Sequence, residues 1–515
     1  MDLFGFVSLD ICVHVVYGAD VTSDSTPSST TAVLPAALSA TTLDAIAAVA
    51  TVPAYDRSAV RRSILHIGVG GFHRAHLATY VDELCGAGNT DWSIVGVGLL
   101  PNDEAMAAAL HAQDCLYTLI ARGRGTTQVD VIGSIVDFML VPTDHAPLID
   151  AIAAPDTQIV SMTITEGGYP IDDTTGDFNA DKCTPGSAFD VIVRGLDARR
   201  QAGGAPITIM SCDNIMGNGK VARAATLGAA QAMGNAELTS WIESSVSFPN
   251  SMVDRITPVT SPSDIAWLAD EIGISDRWPV VAEPFRQWVI EDRFAGDRLP
   301  LEALDVIVTD DIDPYELTKL RLLNAGHSCL AYLASLDGFE LVDTAMADPA
   351  LGQFVEALLH REAKPTLPAA AGIDLDDYIA SLIERFSNPA IGDQISRLCF
   401  DGSSKFPKFL IPTIRAQING DHHVGLSALA LAGWCAYLSQ DPDIEISHDP
   451  LLDEAREHAQ RSINDPAAFL QFTEVFGPEL AASPVFSAAF TSALSDVRTA
   501  GVQSAIANAL QEATD

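Results

Sequence analysis

Lysine is scarce in this 515-residue chain: only six of its 29 basic residues are lysine. Positive charge of either kind is outnumbered by 68 acidic residues, leaving a formal net charge of −39. A polyanion of that size is repelled by nucleic acid and by anionic membrane surfaces, so neither is expected as a partner. Long hydrophobic runs are missing too. The apolar N-terminal stretch "MDLFGFVSLDICVHVVYGAD" carries Asp2 and Asp10 where a signal peptide has positive charge, and it is too short to span a bilayer. The eight cysteines (Cys12, Cys85, Cys115, Cys183, Cys212, Cys329, Cys399 and Cys435) include no C-x-x-C pair. They read as small buried hydrophobes in a reducing compartment, which predicts a cytoplasmic protein. His73 and His76 stand three apart with no Cys or acidic partner nearby, and the adjacent His422 and His423 would point to different faces. No metal is expected from such spacing.

What the chain does have is 48% hydrophobic residues and enough length for two or more domains. The Ser-, Thr-, Ala- and Pro-rich run "VTSDSTPSSTTAVLPAALSATT" follows the N-terminal stretch, and residues 1–42 read as a flexible appendage. The first strong pattern is "RRSILHIGVGGFHRAHLATYVDELCGAG". Ile64, Leu65 and Ile67 predict a short buried strand, Gly68, Gly70 and Gly71 a tight turn, and the apolar residues from Ala75 to Leu84 a helix. Strand, glycine turn and helix in that order open a dinucleotide-binding fold, in which backbone and helix N-terminus meet a pyrophosphate. His73 stands where the third glycine of the usual pattern would be.

A second strand is predicted in "WSIVGVGLLPND", with Asp103 just beyond it, where an acid holds the adenine ribose. Further strands are expected in "TQVDVIGSIVDFML", "TQIVSMTITEGGY" and "APITIMSCDN", with helices between them. That alternation predicts a parallel sheet covered on both faces. After "DVIVTDDIDPYE" helical periodicity dominates to the end. The fold class is therefore an α/β domain over 43–307 followed by a mostly α-helical domain over 308–515, with the active site in the cleft between them.

At the start of the second half lies "DPYELTKLRLLNAGHS". At 3.6 residues per turn Glu316, Lys319, Asn324 and His327 share an arc of about 140° with Leu320 and Leu323. The polar cluster thus lies on the apolar side of the helix. A buried amine without a role is expensive. In an arginine-rich chain a retained lysine matters, because its pKa can fall far enough to make a base. Polar residues also gather at predicted loop ends: Thr165 and Glu166, Asp213 and Asn214, and Asp254 with Arg255 in a polar loop. Arg397 and Lys405 stand in the helical half.

The set GVGGFHRAH, DWSIVGVGL, TITEGGY, SCDN, FPN-MVDRITP, LLN-H and DGSSKFPKF closely resembles the polyol-specific long-chain dehydrogenase/reductase family, from about Pro53 to about residue 505. The resemblance implies a Rossmann-type domain followed by a helical one. It also implies oxidation of a polyol to a ketose with NAD(H), D-mannitol and D-fructose being the pair of the most similar members. Lys319 is then the catalytic base, Asn214 and Asn324 hold the alkoxide, and Glu316 passes the proton to solvent. His327, Asp254, Arg397 and Lys405 bind substrate hydroxyls. Cofactor contacts fall to Ile67, Gly68, Val69, Gly70, Gly71, Phe72, His73, Arg74, Asp103, Thr165 and Glu166. Asn102 stands where some relatives carry a second acid, which keeps NADP(H) as the alternative cofactor. Fructuronate, arabinitol and glucitol are the alternative substrates, and a non-catalytic NAD sensor is the alternative of a different class. Gly167, in place of a lysine, speaks for neutral polyols. A monomer or weak homo-oligomer is expected.

Overall fold

The computed structural model describes residues 35–61, 63–172, 175–440 and 449–512. Most of the expected appendage, residues 1–34, lies outside them. The remainder of that segment is folded: Ala36–Ala37 pairs in parallel with Ile274–Ser275, and Leu38 is 2% exposed. Leu38 packs in one core with Ile46, Leu116, Leu268 and Ile274, so an apolar anchor outweighs the loop-like composition around it.

Six parallel strands make the central sheet: β1 (Ile64–Ile67), β2 (Ile94–Gly98), β3 (Ile135–Leu140), β4 (Ile159–Met162), β5 (Ile207–Ser211) and β6 (Val246–Ser247). Their spatial order is 3-2-1-4-5-6, the order of Rossmann-type dinucleotide-binding folds. Successive side chains enter different cores, as the period of two requires. Ile64, Ile94 and Ile159 join Leu77, Val81 and Leu84, whereas Leu65, Val95 and Val160 join Phe189, Ile192 and Leu196. Both faces are thereby covered, which is why these strands read as unbroken apolar runs.

Two departures from the sequence reading affect the site's surroundings. The run "TQVDVIGSIVDFML" is two strands: Thr126–Ile132 pairs antiparallel with Tyr117–Gly123, and only β3 enters the main sheet. The expected polar loop at Asp254 is the end of a buried strand, β7 (Ser251–Asp254). It pairs antiparallel with β8 (Gln287–Glu291), which pairs in parallel with β9 (Ile307–Thr309). Met252 and Val253 are fully packed, so β7 carries Asp254 inward rather than into solvent.

From Asp313 onward the fold is helical. Helix Gly425–Leu438 is buried on nearly every side, with Leu429, Leu431, Ala432 and Cys435 completely enclosed. A helix apolar all round belongs in a core, and this one packs against Ala325–Leu336, the helix bearing His327. Among the described residues no helix is long and apolar enough to cross a membrane.

Candidate active site

A cleft of about 590 Å³ opens at the carboxyl ends of β1, β4 and β5 and is closed on its far side by the helical half. Open α/β sheets bind ligands at this edge. Gly70, Gly71, Phe72, Thr165 and Glu166 line it on the Rossmann side. Asn324, His327, Arg397 and Lys405 line it from the helical side, with Lys319, Asn214 and Asp254 between.

The glycine turn is shaped by two positions. Gly68 has φ +89, and a Cβ there would lie 2.2 Å from the Thr163 carbonyl oxygen, so only glycine fits. Gly70 has open space where its Cβ would be, which leaves the backbone approachable from the cleft. At the missing third glycine the His73 ring lies flat on His66, with centroids 3.4 Å apart. His66 in turn bonds Ser161 and Thr163 at 2.8 and 3.0 Å. Burial holds both imidazoles far below their usual range, so this pair is a neutral packing unit.

Three other residues expected around the cofactor, Ile67, Val69 and Arg74, stand behind the cleft wall. Ile67 and Val69 are buried in the sheet cores. Arg74 points inward: its guanidinium donates to the Trp278 carbonyl at 2.7 Å and lies over the Tyr117 ring. Asp103 sits at the end of β2, where its carboxylate accepts from the Leu100 N–H at 3.0 Å. Thr165 has φ +61, a strained conformation for a non-glycine residue, costing about 1–3 kcal/mol. Asp213 holds it there: its carboxylate accepts from the N–H groups of Ile164 and Thr165 at 3.0 and 2.8 Å and from the Tyr169 hydroxyl at 2.7 Å. Glu166 pairs with Lys408 across the cleft mouth at 3.4 Å.

The helix expected at 313–328 is continuous but changes pitch. Asp313–Thr318 is α-helical, Lys319–Asn324 is a π-turn and Ala325–Leu336 is α-helical again. In a π-turn residues five apart are hydrogen-bond partners, so Asn324 comes nearly above Lys319. The arc calculated for a uniform α-helix is thus too wide for this pair.

Lys319 is 8% exposed. Its amine donates to Asn214 Oδ1 at 2.8 Å and to the Val253 carbonyl at 2.5 Å. Burial pushes its pKa below that of a free lysine, Asp254 opposes that shift, and Arg385 adds to it. One turn earlier Glu316 accepts from the Gly217 N–H with both oxygens, each at 3.1 Å. Burial raises its pKa to about 7. A cavity of about 20 Å³, room for a water molecule, lies between Glu316, Lys319 and Asn214. Two buried side-chain nitrogens in the cleft, Asn324 Nδ2 and His327 Nε2, have no protein partner. The His327 ring stacks on Phe386 at 3.9 Å, and burial lowers its pKa to about 3. Lys405 donates to the Leu398 carbonyl at 3.3 Å, and Arg397 is held by Asp393 at 2.9 and 2.7 Å.

A model of the mannitol dehydrogenase Rossmann domain matches residues 62–303, and one of the mannitol dehydrogenase C-terminal domain matches 311–498. This chain belongs to the mannitol dehydrogenase family. Within the family, mannitol 2-dehydrogenase of Aspergillus fumigatus is 41% identical over 476 residues, spanning 88% of this chain and 94% of that one. Mannitol dehydrogenase 2 of Saccharomyces cerevisiae is 39% identical over 491 residues, covering 92% and 98%. Two solved structures superpose closely. Mannitol 2-dehydrogenase of Pseudomonas fluorescens, in a ternary complex with NAD and D-mannitol, has a TM-score of 0.82 at 43% identity and covers 93% of this chain and 100% of its own. A D-sorbitol dehydrogenase in substrate-free form has a TM-score of 0.83 at 36% identity, covering 91% and 100%.

The sequence reading overlooked Arg385, Glu283 and Lys408. Arg385 is 8% exposed and grips Asp254 and Glu283 together. Its signal in "IERFSN" is weak, because an arginine on a helix is usually solvated.

Proposed function

We propose that this protein is an NAD-dependent polyol dehydrogenase acting on a secondary CH–OH, with D-mannitol and D-fructose as its preferred pair. The observation that carries this is the Lys319 amine, buried against Asn214 in the same cleft that the glycine turn opens on. The cleft's two ends suit the two ligands. Gly70 leaves backbone approachable for a pyrophosphate, while Asn324 Nδ2 and His327 Nε2 offer unspent donors to hydroxyls.

NAD, when bound, supplies the hydride acceptor. Lys319 removes the proton from the reacting hydroxyl, and its lowered pKa makes the neutral amine accessible. Asn214 aims the amine through its side-chain oxygen, leaving its amide NH₂ for the substrate oxygen. Asn324 offers a second amide donor to that developing charge. Glu316, near pH 7 in its titration and joined to Lys319 by the small cavity, relays the proton outward. His327, neutral across the physiological range, donates to a neighbouring hydroxyl without adding charge. In this reading two amides and the protonated Lys319 meet the charge on oxygen, so no metal is required, and the protein works in the cytoplasm. A turnover screen of mannitol, arabinitol, glucitol, fructose and fructuronate with NAD(H) and NADP(H) tests it. Mannitol and fructose with NAD(H) should give the highest kcat/KM, and absence of any polyol-dependent NADH formation overturns the proposal.

A further inference from the structure

We infer that Arg385 is a positioning residue for the substrate, acting through Asp254. The inference rests on the polyol dehydrogenase reading above and extends it to a residue that does not line the cleft. Arg385 ends helix Leu375–Phe386 in the helical half, yet its guanidinium is spent entirely on the other half. NH1 and NH2 donate to the two Asp254 oxygens at 2.9 and 3.0 Å. Nε and NH2 donate to the two Glu283 oxygens at 2.9 and 2.8 Å. Glu283 is itself fixed by the Ile256 N–H at 2.6 Å, and the Phe285 ring lies 4.0 Å beneath the guanidinium.

A carboxylate that takes a planar fork with both oxygens loses its rotational freedom about the carboxyl bond. Asp254 therefore faces the cleft in one orientation only, with its remaining lone pairs set for a hydroxyl. The next residue, Phe386, stacks beneath His327, so two successive side chains of one helix end fix two groups on the substrate side. Truncating Arg385 would leave two buried carboxylates uncompensated and threaten the fold itself. Lysine keeps the charge but cannot reproduce the fork, which makes Arg385→Lys the informative change.

The experiment measures mannitol kcat and KM, together with NADH affinity by fluorescence titration. It compares the wild type with Arg385→Lys, Asp254→Asn and the double variant. Arg385→Lys should raise the mannitol KM about tenfold while NADH affinity stays within about twofold. In the Asp254→Asn background the same change should add little, because its effect passes through the group already altered. An unchanged KM, a full multiplicative effect in the double variant, or a parallel loss of NADH affinity overturns the inference. If Arg385→Lys does not fold, Glu283→Gln decides: it frees the fork from the opposite side and should raise the mannitol KM in the same direction, and an unchanged KM overturns the inference. A wild type that turns over no polyol overturns this inference and the proposed function together. Wild-type turnover with an unaffected variant overturns this one alone.

Discussion

Lys319 of the helical half donates to Asn214 Oδ1 of the Rossmann half at 2.8 Å, so the buried amine of one half is held by an amide of the other. Replacing Lys319 by alanine should cost about 10²–10⁴ in turnover while leaving NADH binding nearly intact, because the cofactor end of the cleft is built elsewhere. Polyol oxidation by the wild type should rise with pH as the amine deprotonates, with a midpoint below the roughly 10.4 of a free lysine. Fructose reduction should fall over the same range, since it needs the ammonium. Asn324→Ala should slow both directions without moving the profile, as an amide does not titrate. Near wild-type turnover in Lys319→Ala would assign the base elsewhere.

Asp103→Ala should raise activity with NADP relative to NAD. A carboxylate at the end of β2 accepts from the ribose hydroxyls and repels a 2′-phosphate. Steady-state kinetics with both cofactors read this directly, and an unaltered preference points to a different acidic residue.

Dialysis against a strong chelator should leave mannitol oxidation unchanged. The test is residual activity after prolonged treatment, compared with a sample given back zinc. Activity that disappears and returns with zinc rules out the proton transfer described here.

Stability should depend on Glu362, far from the cleft. This carboxylate accepts from the N–H groups of Leu426 and Ser427 at 2.9 and 2.8 Å and from the Ser427 hydroxyl. Burial nevertheless raises its pKa from 4.5 to about 7. A group with a raised folded pKa contributes stability that is fully present below the unfolded value and is lost as pH rises through the folded one. Tm should therefore decline between about pH 5 and pH 8. Glu362→Gln, which cannot ionise, should flatten that decline by a few degrees in calorimetry. An identical slope in the variant assigns the pH dependence to other groups.

Much of this architecture is legible in single stretches of chain. β1, β2, β4 and β5 are short Ile- and Val-rich runs ending in glycine or small polar residues, and the turn after β1 carries its glycines openly. Lys319 stands out because lysine is rare here and its neighbours are leucines. The Arg385 fork was not legible, since its partners lie 131 and 102 residues away and no local pattern links them. Strand β7 was hidden by Pro249, Asn250 and Asp254 at its ends, which read as loop chemistry. The inward turn of Arg74 depends on the Trp278 carbonyl, contributed by a distant segment.

The π-turn over Lys319–Asn324 has a consequence for insertion and deletion. It holds one residue more than an α-helix would use to climb the same height. Removing any one residue from Leu320 to Leu323 would let the segment relax into an unbroken α-helix, with every backbone bond satisfied. The helical core would still be able to form. Asn324 would then stand four residues after Lys319 on an α-helix, still on the same face and only about 40° around the axis. Such a shortened protein would keep its amide donor beside the amine despite the loss of a leucine or arginine, whereas an unbroken α-helix of the full length would set Asn324 and Lys319 about 140° apart.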